Sequence, residues 1–525
     1  MAVLAVRGAA PGAAPSFTPN AAQARRVRLI PTSAAALFSL LALIVPIELS
    51  AQLLNSDGDL ARHLRVGAYI LARRSLFYAD PFSYTKFGQP FVPYEWLSEV
   101  IYALANQLAG LAGVAVLAGL IIAGTYALVT GLLAARGVDP LLALGTGVLA
   151  AVAGSIHWLA RPHLFTALGS VLLIWILERP GQRRVWPVVP LFILWANLHG
   201  GFLFGLIVLA VYLVGDLAES RICTADERTV WHQRARFDAA ALILAFLAAL
   251  VNPVGPRLFQ HVTAYLGDRY LVDWTNEYQT PSFHALGAQY FLGVLLLVMT
   301  AFALARRRPS LPHLFLVLAT TAFALYSARN IPLFCVTAFP VVILEFDATW
   351  RSLLAGPLAP ARLIAGISRR LAVGEQYGSR GTWPSLVTAG LIVLAAAGGK
   401  VADVPVINAR FLPERFPVAA VEKARAAHLT GRLFSEFTWG GYLLYAWPEQ
   451  KVFIDGQTDF YGDDLTRTYT RIMSLDPGWR DDLDRWKVSL VIIPDDWRLA
   501  AALRQEPGWS VWYEDRTAII LRRNG

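Results

Sequence analysis

Long apolar runs recur from residue 33 to residue 399, and they constrain the fold more than any motif does. The first reads SAAALFSLLALIVPIELSAQLL. A helix needs roughly 20 such residues to cross the hydrocarbon core of a bilayer. Comparable runs fall at 33–54, 110–134, 139–157, 163–178, 185–198, 201–218, 237–252, 290–305, 311–327, 331–346 and 383–399. They predict an α-helical polytopic membrane protein with about eleven transmembrane helices. Composition agrees: 56% of the 525 residues are hydrophobic, 16% are charged and the mean hydropathy is +0.48, too little polar surface for a soluble globular chain.

The net charge of +9 points to loop orientation, not to nucleic acid, because basic residues concentrate in cytoplasmic loops. With the N-terminus inside, residues 1–31 form a cytoplasmic tail carrying Arg25, Arg26 and Arg28. Arg136, Arg179, Arg183, Arg184, Arg221, Arg228, Arg234, Arg236, Arg306, Arg307, Arg308, Arg351, Arg369, Arg370 and Arg380 then all fall on inner loops. The short outer turns keep only Arg161 and Arg329. Cys223 and Cys335 lie in a basic loop and an apolar run, so neither a disulfide framework nor a zinc site is read from them.

This orientation divides the chain into a transmembrane part, 32–399, with outer loops at 55–109 and 255–289, and an extracytoplasmic domain at 400–525. The first loop holds two amphipathic segments, LARHLRVGAYILARRS and WLSEVIYALANQLAG, around the turn-rich DPFSYTKFGQPFVPYEW. After Lys400, GRLFSEF, KVFIDG, VSLVIIP and WSVWYEDRTAIILRR have strand character, while AVEKARAAH, LTRTYTRIMS and RLAAALRQE have helical spacing. That alternation predicts a soluble α/β domain with a mostly parallel sheet. It contains no GxGxxG or P-loop.

Ionisable and polar groups at membrane depth are costly and mark function by default. Here Glu48, Asp57, Asp59, His63, Arg161, His163, Asn197, His199, Asn252, Arg329 and Asn330 all fall at outer span ends. Each has a plain structural use as a turn former, helix end or snorkelling cation. Their shared level favours a site. In NSDGDLARH, Ser56 and Asp59 match a capping box, and His63 falls one helical turn after Asp59. A carboxylate and a histidine at that spacing can bind a divalent cation or orient a phosphate.

The acidic pair at the outer end of the first span, the long first loop and the outer C-terminal domain resemble the GT-C glycosyltransferases. DGDLARH is similar to the Asp-Glu-x-x-His motif of protein O-mannosyltransferases, with a glycine between the acids. DPFSYT, EWLSEVIYAL, ARPHLF, WANLHGGF, NPVGPRLF, RNIPLF and WGGYLLYAWPEQKVFIDGQTDFYG resemble bacterial membrane proteins of the GT-C type. SEFTWGGYLL followed by VFIDGQTD is similar in layout to the acceptor motif of oligosaccharyltransferases, with Thr438 where that motif has aspartate.

The resemblance implies a multi-pass enzyme of the bacterial cytoplasmic membrane, using a polyprenyl-phosphate sugar and a glycan, lipid or protein acceptor. Asp57 is then the first candidate for general base and Asp59 the second. His63, Arg161, His163, His199 and Arg329 would bind the donor phosphate. Trp439 and Asp455 would fall on the acceptor side, Glu95 would either line that side or only cap the second interfacial helix, and Asp59 with His63 would hold Mg or Mn if a cation is used. Two other classes stay open. A transporter of a lipid-linked or anionic solute would use the same buried cations but would be expected to carry internal repeats. A non-catalytic scaffold would tolerate loss of Asp57 and Asp59.

Overall fold

In the computed structural model, residues 31–179, 184–306, 308–357, 359–376, 382–401 and 404–524 are described. The expected tail, together with Arg183, Arg307 and Arg380, lies outside them, apart from residue 31 of the tail. Every apolar run becomes helix. The first splits into Ser33–Glu48 and Ser50–Asn55 at Leu49, three residues after Pro46. The second interfacial segment and the second span form one element, Trp96–Ala135, broken at Ala109 and Gly110, where Gly110 takes a positive φ of 59°. The run at 237–252 belongs to a longer helix, Ala225–Ala249, because the basic residues before it are helical too.

Among the described residues, five helices are long and apolar enough to cross a membrane: Trp96–Ala135, Pro140–His157, Phe202–Ile222, Leu286–Leu304 and Ala328–Leu354. Ser33–Glu48, His163–Glu178, Val188–Leu198, Leu311–Tyr326 and Trp383–Ala396 are apolar but shorter, so length alone does not fix the expected eleven crossings.

The C-terminal sheet runs in the spatial order Leu433–Ser435, Leu490–Ile493, Ile519–Arg523, Trp509–Glu514. Only its first pair is parallel; the other two are antiparallel, which corrects the expectation of a mostly parallel sheet. The turn in EDRTA accounts for the last pair. Asp515 Oδ1 accepts from the amides of Thr517 and Ala518, closing a connection too short for a parallel crossover. KVFIDG is not a full strand: Val452 makes single parallel bridges to Ser83 and to Leu433.

The bridge to Ser83 belongs to a wider fusion. Phe77, Phe82 and Phe91 of the first loop share one core with Phe411, Phe416, Trp439 and Tyr442. Arg62, on the Asp59–Arg73 helix, is buried between Glu99 of the next helix and Asp455 of the C-terminal part, at 3.4 and 3.3 Å. Burial works against its charge, but Asp455 and Glu99 outweigh that and hold its pKa above the ordinary value. The first loop and the C-terminal region are therefore one packed unit.

Candidate active site

NSDGD makes the tightest junction in this unit. Asn55 closes the first helical run and ties it to the C-terminal segment, accepting from Leu412 N at 2.7 Å and donating to Arg410 O at 3.0 Å. The expected capping box does not form. Ser56 Oγ turns back to donate to Gln52 O at 2.7 Å, and Asp57 Oδ1 instead accepts from Asp59 N at 3.1 Å. The helix that follows starts at Asp59 after Gly58. A Cβ on Gly58 would overlap the Thr438 carbonyl, one on Gly441 the Gly58 carbonyl, and one on Gly456 the Asp59 carboxylate. Backbone at these points can pack this closely only without side chains.

Across from this loop stands Arg161, in the turn between the Pro140–Gly154 and His163–Glu178 helices. Its Nη1 lies 2.8 Å from Asp57 Oδ2 and its Nη2 2.7 Å from Asp59 Oδ2. Glu277 Oε2 of the second outer loop is 3.5 Å from Nη1. Glu277 also accepts from Arg329 Nη1 at 2.9 Å and faces His157 Nε2 at 3.3 Å. Burial alone would raise the Glu277 pKa; Arg329 and Arg161 reverse that and bring it down to about 2. Burial pushes the Asp57 carboxyl up, Arg161 pulls it down and Asp59 pushes it up again, leaving it raised.

His199 caps the far wall. Its Nδ1 receives the Gly201 amide at 3.0 Å and lies 2.7 Å from the Thr166 hydroxyl, which itself accepts from Trp195 Nε1 at 3.0 Å. Its Nε2 faces Arg329 Nη2 at 3.3 Å and Glu95 Oε1 at 3.4 Å. Burial, then Arg329 and Arg161, depress the His199 pKa well below its ordinary value, so the ring is neutral. His163 Nε2 is 3.0 Å from the His157 carbonyl.

Asp57, Asp59, Arg161, His163, His199 and Arg329, six of the residues singled out from the sequence, line one cavity of about 1050 Å³, joined by His63 and Glu95. Trp439 and Asp455 do not line it. Trp439 Nε1 donates to Arg415 O at 2.8 Å, and Asp455 is buried, accepting from the Gln457 amide and the Tyr461 hydroxyl. Their neighbours Thr438, Gly456 and Gln457 reach the cavity instead. Apolar side chains including Ile121, Ile122, Leu203, Phe204 and Leu333 form the part of the wall contributed by the long helices.

Asp59 and His63 have different partners. Asp59 turns to Arg161, whereas His63 Nδ1 lies 3.2 Å from Glu99 Oε1 and 3.9 Å from Glu95 Oε2. Among the described residues, His63, Glu95 and Glu99 could hold a metal ion, their ligand atoms all lying within 4.8 Å of one another. Burial, opposed by His63 and reinforced by Glu99, raises the Glu95 pKa from 4.5 to about 7. Folded Glu95 therefore keeps a proton that the unfolded chain releases, and its contribution to stability declines as pH rises through that window. Glu277 acts only below its ordinary value of 4.5, but His199, whose burial depresses its pKa, adds stability as pH rises through the same window, so the Glu95 contribution is read as a difference between parent and variant. Glu95→Gln is expected to make the slope of melting temperature against pH more positive than the parent's between about pH 5 and pH 7. An unchanged slope in the variant would remove Glu95 as a contributor.

Glu277, His157, Arg62, Glu99, His261 and Asp459 are functional candidates that the sequence reading missed. His261 Nε2 bonds to Asp459 Oδ2 at 2.8 Å, joining the second outer loop to the C-terminal unit. His157, in SIHWLARPH, ends an apolar run and had the same signal as His163. Glu277 and Asp459 sit in polar stretches where a carboxylate does not stand out.

The fold resembles that of solved oligosaccharyltransferase and ArnT structures. Among solved structures, AglB, the archaeal oligosaccharyltransferase from Archaeoglobus fulgidus, determined with an inhibitory peptide and a dolichol-phosphate, is similar at a TM-score of 0.55 and 13% identity; the match covers 93% of this chain and 73% of that one. ArnT from Cupriavidus metallidurans, in the apo state, gives 0.50 at 15% identity, covering 93% and 97%. The A. fulgidus enzyme in complex with Zn and sulfate gives 0.54 at 15% identity, covering 93% and 73%. No protein-family model matches the sequence, and no curated protein does. At these identities the likeness is one of fold.

Proposed function

We propose that this chain is a multi-pass membrane glycosyltransferase that moves a sugar, with inversion, from a polyprenyl-phosphate donor to an acceptor on the extracytoplasmic side. The convergence of two aspartates with Arg161, Arg329 and His199 in one cavity, walled in part by apolar helices, is the observation that carries this reading. AglB was determined with a dolichol-phosphate, and a lipid phosphate suits an apolar wall beside two arginines.

On this reading the acceptor hydroxyl attacks the anomeric carbon and gives its proton to Asp57. The bond from that carbon to the phosphate oxygen breaks, its electron pair stays on the oxygen, and polyprenyl phosphate leaves. Arg161 and Arg329 are the cationic donors beside the place where the phosphate charge grows, with the neutral His199 ring next to Arg329. A guanidinium suits this task because its planar fork meets two oxygens together. The domain division at residue 400, the cytoplasmic N-terminus and a bacterial inner-membrane location belong to the same proposal.

The purified protein in lipid nanodiscs, offered a panel of polyprenyl-phosphate sugars with saccharide, lipid and peptide acceptors, is expected to release free polyprenyl phosphate and an inverted glycoside. Movement of an intact donor across liposomes, with no cleavage of any member of the panel, would instead make the chain a carrier.

A further inference from the structure

Three carboxylates from two distant parts of the chain meet on one guanidinium. Asp57 and Asp59 each give an oxygen to a different nitrogen of Arg161, and Glu277 approaches the first of these from the second outer loop. Gathering carboxylate oxygens at a point is the usual work of a divalent cation. Here a positive group belonging to the chain already stands at that point.

The oxygens that remain do not form a second seat. Asp57 Oδ1 is taken by the Asp59 amide, Asp57 Oδ2 and Asp59 Oδ2 by Arg161, and Asp59 Oδ1 faces Gly456. Glu277 is shared between two arginines, with Oε1 bonded to Arg329 and Oε2 near Arg161. Arg161 is itself held in place: its carbonyl accepts from the Tyr102 hydroxyl at 3.1 Å, and the neighbouring Ala160 amide bonds to Leu53 O at 3.0 Å. A cation drawn to Asp57 and Asp59 would have to displace a side chain that is 14% exposed and leave its charge unpaired. The residues present around Arg161 thus do not fit a bound metal.

We infer that Arg161 is the built-in cation of this site, filling the place where a divalent metal would bridge Asp57, Asp59 and Glu277. Two consequences follow. These carboxylates bind no divalent metal while Arg161 is present, and its removal turns them into a metal site. On the glycosyltransferase reading, positive charge near the leaving phosphate then comes from the chain itself, and transfer needs no metal at these three residues.

Mn²⁺ binding to the metal-stripped, full-length protein in nanodiscs tests this by electron paramagnetic resonance and by metal counting. His63, Glu95 and Glu99 form a separate candidate set, so Glu99→Gln identifies any ion held there. In the parent, the number of bound Mn²⁺ is expected to be unchanged by Asp57→Asn. Arg161→Ala is expected to bind one Mn²⁺ more than the parent and to lose it again when Asp57→Asn is added. If Arg161→Ala folds poorly, Arg161→Met, of similar length and uncharged, carries this arm, while the comparison of parent with Asp57→Asn needs no Arg161 variant. A parental Mn²⁺ that survives Glu99→Gln but disappears in Asp57→Asn would overturn the inference, as would an arginine-free variant that gains none. The count is independent of turnover, so a failure of the glycosyltransferase reading shows in the donor assay and a failure here shows in the metal.

Discussion

Asp57→Asn is expected to lower turnover of the lipid-linked donor by roughly 10²- to 10⁴-fold, the range a positioned general base contributes. Its melting temperature should stay close to that of the parent. The amide keeps the oxygen that receives the Asp59 N–H, so the turn into the Asp59–Arg73 helix is retained. Arg161 keeps Asp59 and Glu277 as partners. The carboxylate being removed is one that burial already disfavours in its charged form, so its loss costs little stability. What disappears is the group able to take a proton. Its raised pKa gives a second readout: the parent rate should fall as acid protonates Asp57, and the residual rate of the variant should lack that limb. Asp59→Asn separates the two acids, because it loses an Arg161 contact without removing the first-choice base. Full activity in Asp57→Asn with none in Asp59→Asn would move the base to Asp59. Full activity in both would end the assignment of the site to this loop.

The parts of this site that could be read from sequence are those set against an apolar background. Arg161, His163, His199 and Arg329 interrupt runs of apolar residues, where a charge or an imidazole is conspicuous because membrane depth makes it costly. Glu277 binds both arginines but lies among TNEYQ, and nothing local distinguishes it from other loop carboxylates. Only the folding of the second outer loop over the cavity gives it a role. The same limit applies to Asp59 and His63. Their spacing places them on one helical face, yet a separate partner awaits each: Arg161 from another span for the first, Glu99 from the next helix for the second.

Local pattern also misjudged pairings that long-range contacts decide. Ser56 and Asp59 have the residue types of a capping box, but the serine hydroxyl finds the Gln52 carbonyl first. In the C-terminal unit, strand character was recognisable in four segments, and their order was not. The Asp515 turn makes WSVWYEDRTAIILRR a hairpin, and Val452 serves as a bridge between the first loop and the sheet. Hydropathy located the apolar helices because that signal is a property of the segment itself.

Gly58→Ala is expected to cause a loss of turnover of about 10²-fold or more, the scale on which an ångström of misplacement acts, together with roughly 1–3 kcal/mol of destabilisation from overpacking. The added methyl would fall on the Thr438 carbonyl, a backbone atom that cannot rotate aside as a side chain would. Thr438 precedes the Trp439–Ala446 helix, whose Trp439 amide is fixed by Glu436 at 2.7 Å and whose Gly441 packs on the Gly58 carbonyl. Relief must therefore come from moving the aspartate loop away from the C-terminal unit, which separates Asp57 and Asp59 from Arg161. Limited proteolysis should then cut the variant between the spans and the sheet faster than the parent. Gly145→Ala is the matched control, since a methyl there meets nothing within 4 Å and replaces glycine inside a helix, where alanine is the more stable residue. Should Gly58→Ala prove as active and as protease-resistant as Gly145→Ala, the contact between the aspartate loop and the Thr438 carbonyl would play no part in holding the site together.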